Sequence, residues 1–174
     1  MGITMQDSDK QSLSELISHI EHSHHVFTRR ALAHIKTLFN SRELLSVDRS
    51  AEIRICFEEL EADLMPHLMK EERILFPYIV ALENNPTQPP VSCFGSVANP
   101  IRMMGTEHQA VEKLLEKLRE LTANYRPLPG DDSDVSALYA ALADLDRDLV
   151  EHIHLESDVL FPRALEMEKT SLSD

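Results

Sequence analysis

His67-Leu68-Met69-Lys70-Glu71-Glu72-Arg73-Ile74-Leu75-Phe76-Pro77 returns 85 positions later as His152-Ile153-His154-Leu155-Glu156-Ser157-Asp158-Val159-Leu160-Phe161-Pro162. Both copies read His-x-x-x-Glu-x-x-x-Leu-Phe-Pro without slippage. Residues four apart share one face of a helix, so each copy aims an imidazole and a carboxylate at one point. A single His-x-x-x-Glu pair is most often a surface interaction. Two in matched contexts point to halves built on one plan and sharing a site.

The residues around each copy set the fold. Upstream and downstream of His67 runs the stripe Ile53, Phe57, Leu60, Leu64, His67, Glu71, Leu75, and around His152 the stripe Leu138, Leu142, Leu145, Leu149, His152, Glu156, Leu160. The steps are three and four throughout, the period of a buried helical face. A third stripe, Ile101, Met104, His108, Val111, Leu115, Leu118, follows Asn99-Pro100, which reads as a cap with proline in the first turn. The first helix opens at the capping box Ser12-Leu13-Ser14-Glu15. Asn40–Asp48, the Pro- and Ser-rich 84–98 and Tyr125–Ser133 break the periodicity. Four amphipathic helices and no credible strand predict an all-α, up-down-up-down four-helix bundle with an internal two-helix duplication. It spans 12–167, with 1–11 and 168–174 as flexible ends.

Composition narrows the function. Asp+Glu number 30 against Lys+Arg 17, a formal net charge of -13, which argues against nucleic acid or an anionic membrane surface as partner. No apolar run approaches the ~20 residues of a membrane span. Met1–Gln11 lacks the apolar stretch of a secretory signal, so a cytoplasmic location is expected. Cys56 and Cys93 form neither a Cys-x-x-Cys pair nor a disulfide framework. Nine histidines are many for this length. Five of them, His19, His22, His24, His25 and His34, fall in the first helix.

On the bundle axis the stripes collect His67, Glu71, His108, His152 and Glu156. The first helix adds either His24, on the face Ile17, Ile20, His24, Phe27, Ala31, or His25, on the face Ile17, Glu21, His25, Thr28, Leu32, Ile35. Periodicity leaves both open. Two carboxylates buried without a counter-charge would repel and take up protons. A pair of metal ions removes that problem, and mixed imidazole and carboxylate donors suit iron, with manganese or zinc as substitutes. His19, His22, His34 and His154 are expected at the surface or behind the ligands.

The set resembles the hemerythrin-like (HHE, cation-binding) family, and within it the di-iron proteins that repair iron–sulfur centres after nitrosative or oxidative stress. The matching segments are His24–Arg30, His67–Pro77, Pro100–His108 with its Glu107-His108, and Asp148–Glu156 continuing through Leu160-Phe161-Pro162-Arg163-Ala164. The resemblance implies ligands at His25, His67, Glu71, His108, His152 and Glu156, with the two glutamates bridging. It also implies an oxo- or hydroxo-bridged pair of Fe ions, small ligands such as O2 and NO, and damaged iron–sulfur proteins as partners. Glu107 and Glu151 would orient ligands from behind. The chain departs from the family in two places. Members often carry a small N-terminal domain with a cysteine pair, and relatives commonly have a further His after the first helix, which is missing between Leu38 and Asp48. Oxygen-carrying hemerythrins are similar in fold but have His-x-x-x-His on the third helix and a bridging aspartate on the fourth. Here those positions read His108 to Glu112 and Glu156, which favours redox or repair chemistry over oxygen transport. The alternative is a non-catalytic module that binds O2 or NO, or stores or senses iron.

Overall fold

The computed structural model describes residues 11–40, 48–88, 90–129 and 133–171, and among these every regular element is helical. Four long helices form. α1 joins Leu13–His19, Ile20–His25 and Val26–Leu38; α2 joins Asp48–Lys70, Glu71–Leu75 and Phe76–Asn84. α3 is Ala98–Leu121, and α4 joins Ser133–His154, Leu155–Leu160 and Phe161–Ser171. Of the expected flexible ends 1–11 and 168–174, residues 1–10 and 172–174 lie outside the described residues, as do 41–47, 89 and 130–132 of the expected breaks.

The capping box holds: Glu15 N–H donates to Ser12 Oγ at 3.1 Å and Ser12 N–H to Glu15 Oε2 at 3.0 Å. The start of α3 differs from expectation. Asn99 does not cap it; its amide instead donates to the Phe94 carbonyl at 2.9 Å. The helix begins at Ala98, and the buried carboxylate of Glu168, on α4, accepts the Val97 N–H at 2.8 Å. Glu168 also accepts from Tyr78 Oη (2.7 Å) and Ser96 Oγ (2.6 Å), so one side chain ties together α2, α3 and α4. That is why α4 continues to Ser171, past the frayed end expected after Met167.

The stripes bury as two apolar cores. One contains Leu32 and Ile35 of α1, Phe57 of α2, Leu115 of α3 and Leu142 of α4. The other contains Leu16 of α1, Phe76 and Ile79 of α2, Met104 of α3 and Phe161 of α4. Between them each helix contributes polar residues to a single layer: His25, His67, Glu71, His108, His152 and Glu156 are all buried.

Glu168→Ala leaves the Tyr78 hydroxyl and the Val97 N–H buried without an acceptor, a loss of about 3 kcal/mol in urea unfolding. Burial raises the Glu168 carboxyl, but its bonds from Ser96, Val97 and Tyr78 outweigh this and hold it low. Its contribution is therefore present above the ordinary carboxylate range and disappears as the pH falls below it.

Candidate metal centre

The ligand layer falls where three of the helices widen. In α1, Val26 N–H bonds to Glu21 C=O; in α2, Phe76 N–H bonds to Glu71 C=O; in α4, Phe161 N–H bonds to Glu156 C=O. These are i→i−5 bonds, single π turns inside otherwise α-helical runs, which concentrate at functional sites. In α2 and α4 the next residue is Pro77 or Pro162, which has no N–H to continue the α ladder. The repeated Leu-Phe-Pro thus marks the point where the helix expands just after its glutamate. The phenylalanines have a second use. Phe76 stacks on His25 (5.7 Å between centroids, 21°) and Phe161 on His108 (6.0 Å, 10°).

The π turn of α1 also explains why its two candidate faces could not be separated. The buried residues are Leu13, Leu16, Ile17, Ile20 and His24 as far as the widening, and His25, Thr28, Leu32 and Ile35 from there on. One extra residue per turn shifts the buried face, and both histidines end up inside. Only His25 enters the layer, with Nε2 3.2 Å from His152 Nε2. His24 turns its Nδ1 to Asp148 Oδ1 at 3.1 Å.

Six donors converge. His67 Nε2 and His108 Nε2 lie 3.2 Å apart, matching the His25–His152 pair. Each carboxylate directs one oxygen to each imidazole pair. Glu71 places Oε1 3.3 Å from His67 and Oε2 3.5 Å from His25. Glu156 places Oε1 2.9 Å from His152 and Oε2 3.2 Å from His108. The result is two overlapping four-donor sets, His25/Glu71/His152/Glu156 and His67/Glu71/His108/Glu156, each with its donor atoms within 4.8 Å of one another. Both oxygens of Glu71 and Oε2 of Glu156 are buried without a hydrogen-bond partner. Such orphaned anionic atoms are costly in a dry interior, and a cation pair satisfies all of them. The donor set therefore fits two metal ions.

Behind the layer, His25 Nδ1–H donates to Glu72 Oε1 at 2.8 Å, and Arg29 grips the same carboxylate at 2.8 and 2.9 Å. His67 Nδ1–H donates to Glu107 Oε2 at 2.9 Å, and Glu107 also pairs with Lys70. An ionised carboxylate can only accept, so these bonds place the proton on Nδ1 and leave the Nε2 lone pair facing the layer. His108 Nδ1 meets Ser157 Oγ at 3.1 Å. Glu107 occupies the orienting place expected of it. Glu151 does not: it is exposed, and the carboxylate that turns inward from that part of α4 is Asp148, which meets His24 rather than a layer residue. Glu72 and Ser157 escape a reading of the stripes. Each directly follows a core glutamate, but its target lies on a different helix. His22 and His34 are exposed and His19 and His154 half-buried.

Without metal the layer compensates its own charge. Burial lowers the His67 imidazole, but Glu71, Glu156 and Glu107 outweigh it and push it up to about 9. His152 is likewise lowered by burial and raised further by Glu156 and Glu71. Burial raises Glu156, yet the charge of His152, its bond to Oε1 and the nearby His108 imidazole hold it well below its ordinary range.

A layer of imidazoles and bridging-type carboxylates inside a helical bundle defines a carboxylate–histidine metal-binding bundle. The chain belongs to the hemerythrin HHE cation binding domain family, whose model matches residues 16–164. It is 36% identical over 164 residues to the iron-sulfur cluster repair protein YtfE of Yersinia pseudotuberculosis serotype O:1b (strain IP 31758), covering 92% of this chain and 69% of that protein. The protein of that name from Yersinia pestis (strain Pestoides F) is 35% identical over the same spans. Cation binding is thus common to the family and to this buried donor layer. No helix among the described residues is long and apolar enough to cross a membrane.

The raised His67 pKa sets opposite pH trends for the two forms. A protonated His67 stabilises the metal-free fold below 6.5, and this contribution is lost as the pH climbs towards 9. The melting temperature of chelator-treated protein should therefore fall over that interval. Metal must displace the same proton, so the melting increment on adding metal should grow over it. A calorimetric series with and without chelator checks both trends.

Proposed function

We propose that this chain is a di-iron protein that repairs or protects iron–sulfur clusters under nitrosative or oxidative stress, working in the cytoplasm on damaged iron–sulfur proteins. The observation that carries it is the division of Glu71 and Glu156, each with one oxygen towards each imidazole pair. The names of the relatives supply the biological direction. In this reading the domain is 12–167, an up-down-up-down bundle of two duplicated helix pairs. The two apolar cores support that topology, since each gathers one end of every helix. The doubled π turn supports duplication.

His25 and His152 would hold one ion and His67 and His108 the other, with the carboxylates of Glu71 and Glu156 shared between the two donor sets. Iron bound there would supply redox equivalents and a place for O2 or NO to bind, and manganese or zinc would suit the same donors. The protein's own part is to keep the layer dry and the ligands aimed. Phe76 and Phe161 cover His25 and His108. Glu72 and Glu107 fix the ring tautomers, and Arg29 and Lys70 hold those carboxylates in place.

Anaerobically loaded protein should carry about two irons per chain, with the near-ultraviolet absorption of a bridged ferric pair after oxidation. It should restore activity to an iron–sulfur enzyme damaged by nitric oxide, and Glu71→Ala or Glu156→Ala should abolish both properties. Full iron binding with no restoration would point to storage or sensing. Stoichiometric zinc that iron never replaces would defeat the di-iron reading.

A further inference from the structure

The two halves of the layer are not supported alike. Glu107, the residue before His108, turns to His67 and accepts its Nδ1–H. By the register of the halves, the residue before His25 should do the same for His152. That residue is His24. Its ring lies nearly parallel to the His152 ring (5.6 Å between centroids, 12°), and its Nδ1 is engaged by Asp148 Oδ1 at 3.1 Å. His24 is 4% exposed and His152 1%.

Three buried polar atoms without a hydrogen-bond partner belong to the residues of this corner: His152 Nδ1, Asp148 Oδ2 and His24 Nε2. Asp148 and His152 are four apart on α4, so the pair shares a face of its helix. A buried donor and a buried acceptor left unpaired cost ~1–3 kcal/mol apiece. A polar corner with several such groups is the usual setting of an internal water, which needs two to four partners. The other three ligand histidines all have a direct Nδ1 partner, Glu72, Glu107 or Ser157.

We propose that Asp148 and His24 are positioning residues for His152, acting through the ring stack and through one buried water held between Asp148 Oδ2 and His152 Nδ1. The imidazole whose Nδ1 lacks a direct carboxylate or hydroxyl partner is supported there by a carboxylate at one remove. Because His152 belongs to only one donor set, the pair tunes one of the two metal ions and leaves the other alone. This rests on the assignment of two metal sites to the layer.

The test is a Co(II) titration of the chelator-stripped full chain, followed by visible absorption, which reports the coordination of each ion separately. Asp148→Ala and His24→Phe should weaken one binding event about 10- to 100-fold, alter the spectrum of that ion alone and leave the other event unchanged. Asp148→Asn, which keeps an acceptor oxygen, should recover part of the loss. Ser157→Ala should weaken the opposite event, through His108. Circular dichroism of the metal-free variants checks folding, and His24→Phe and Asp148→Asn decide the matter if Asp148→Ala fails to fold. Wild-type-like titration of both ions in the folded variants overturns the proposal, and so does equal weakening of both. A wild-type chain that takes up no Co(II) defeats the two-metal assignment itself, and the proposal with it.

Discussion

Everything in this bundle is arranged around two carboxylates, Glu71 and Glu156, that are fully buried and face one another. An isolated charge in such an interior is prohibitively expensive, and two like charges are worse. The four imidazoles around them compensate in two ways. With protons on the imidazoles the layer is an internal salt-bridge network; the same donors would hold cations in their place. The same donors serve both states, which makes protons and metal direct competitors. The apolar cores on either side exclude water from the layer and raise the cost of leaving it uncompensated.

Such a layer works only if every ring is aimed, and aiming is done from outside the layer. An imidazole on a helix can present either nitrogen. The Glu72 and Glu107 carboxylates settle the choice for His25 and His67 because they cannot donate. They are themselves partly buried, and burial raises both, but the bonds from His25 and Arg29, and from Lys70 and His67, outweigh it and keep both ionised. Arg29 and Lys70 are thus part of the centre although neither reaches it. A cation holds a carboxylate, the carboxylate holds a ring, and the ring holds its lone pair in place.

How much of this could be read from the chain depends on which helix is considered. The stripes of α2, α3 and α4 keep steps of three and four through their ligands, so five of the six layer residues could be placed from spacing alone. In α1 the π turn over Ile20–His25 changes the phase in mid-helix. No single period fits both of its ends, and only the family resemblance favoured His25 over His24. The Leu-Phe-Pro phrase was legible as a repeat, but its two effects depend on i→i−5 bonds and ring stacking that spacing does not encode. The outer partners were the least legible. Glu72 and Ser157 each meet a layer histidine, and Asp148 meets His24, across a helix pairing, and a stripe says only that a residue faces inward. The α4 terminus was misjudged for a related reason, since Glu168 looks like tail until its three donors on other elements are seen.

The outer supports also make the layer uneven, although its inner donors are matched. Each imidazole pair has one ring fixed by a cation-clamped carboxylate, His25 or His67. The second rings differ: His108 has a serine hydroxyl, His152 the stacked His24–Asp148 pair. Solvent approaches unevenly too. A surface cleft of about 460 Å³ between α3 and α4 includes His108 and Ser157 in its wall, with Glu112 and Asp158 nearby. Gly105 lines the same cleft, and a Cβ built there would meet nothing within 4 Å. His152, by contrast, lies behind the His24 ring. Matched donors with unmatched surroundings leave the two donor sets differently exposed, so solvent should reach the His108 side more easily while His152 stays enclosed.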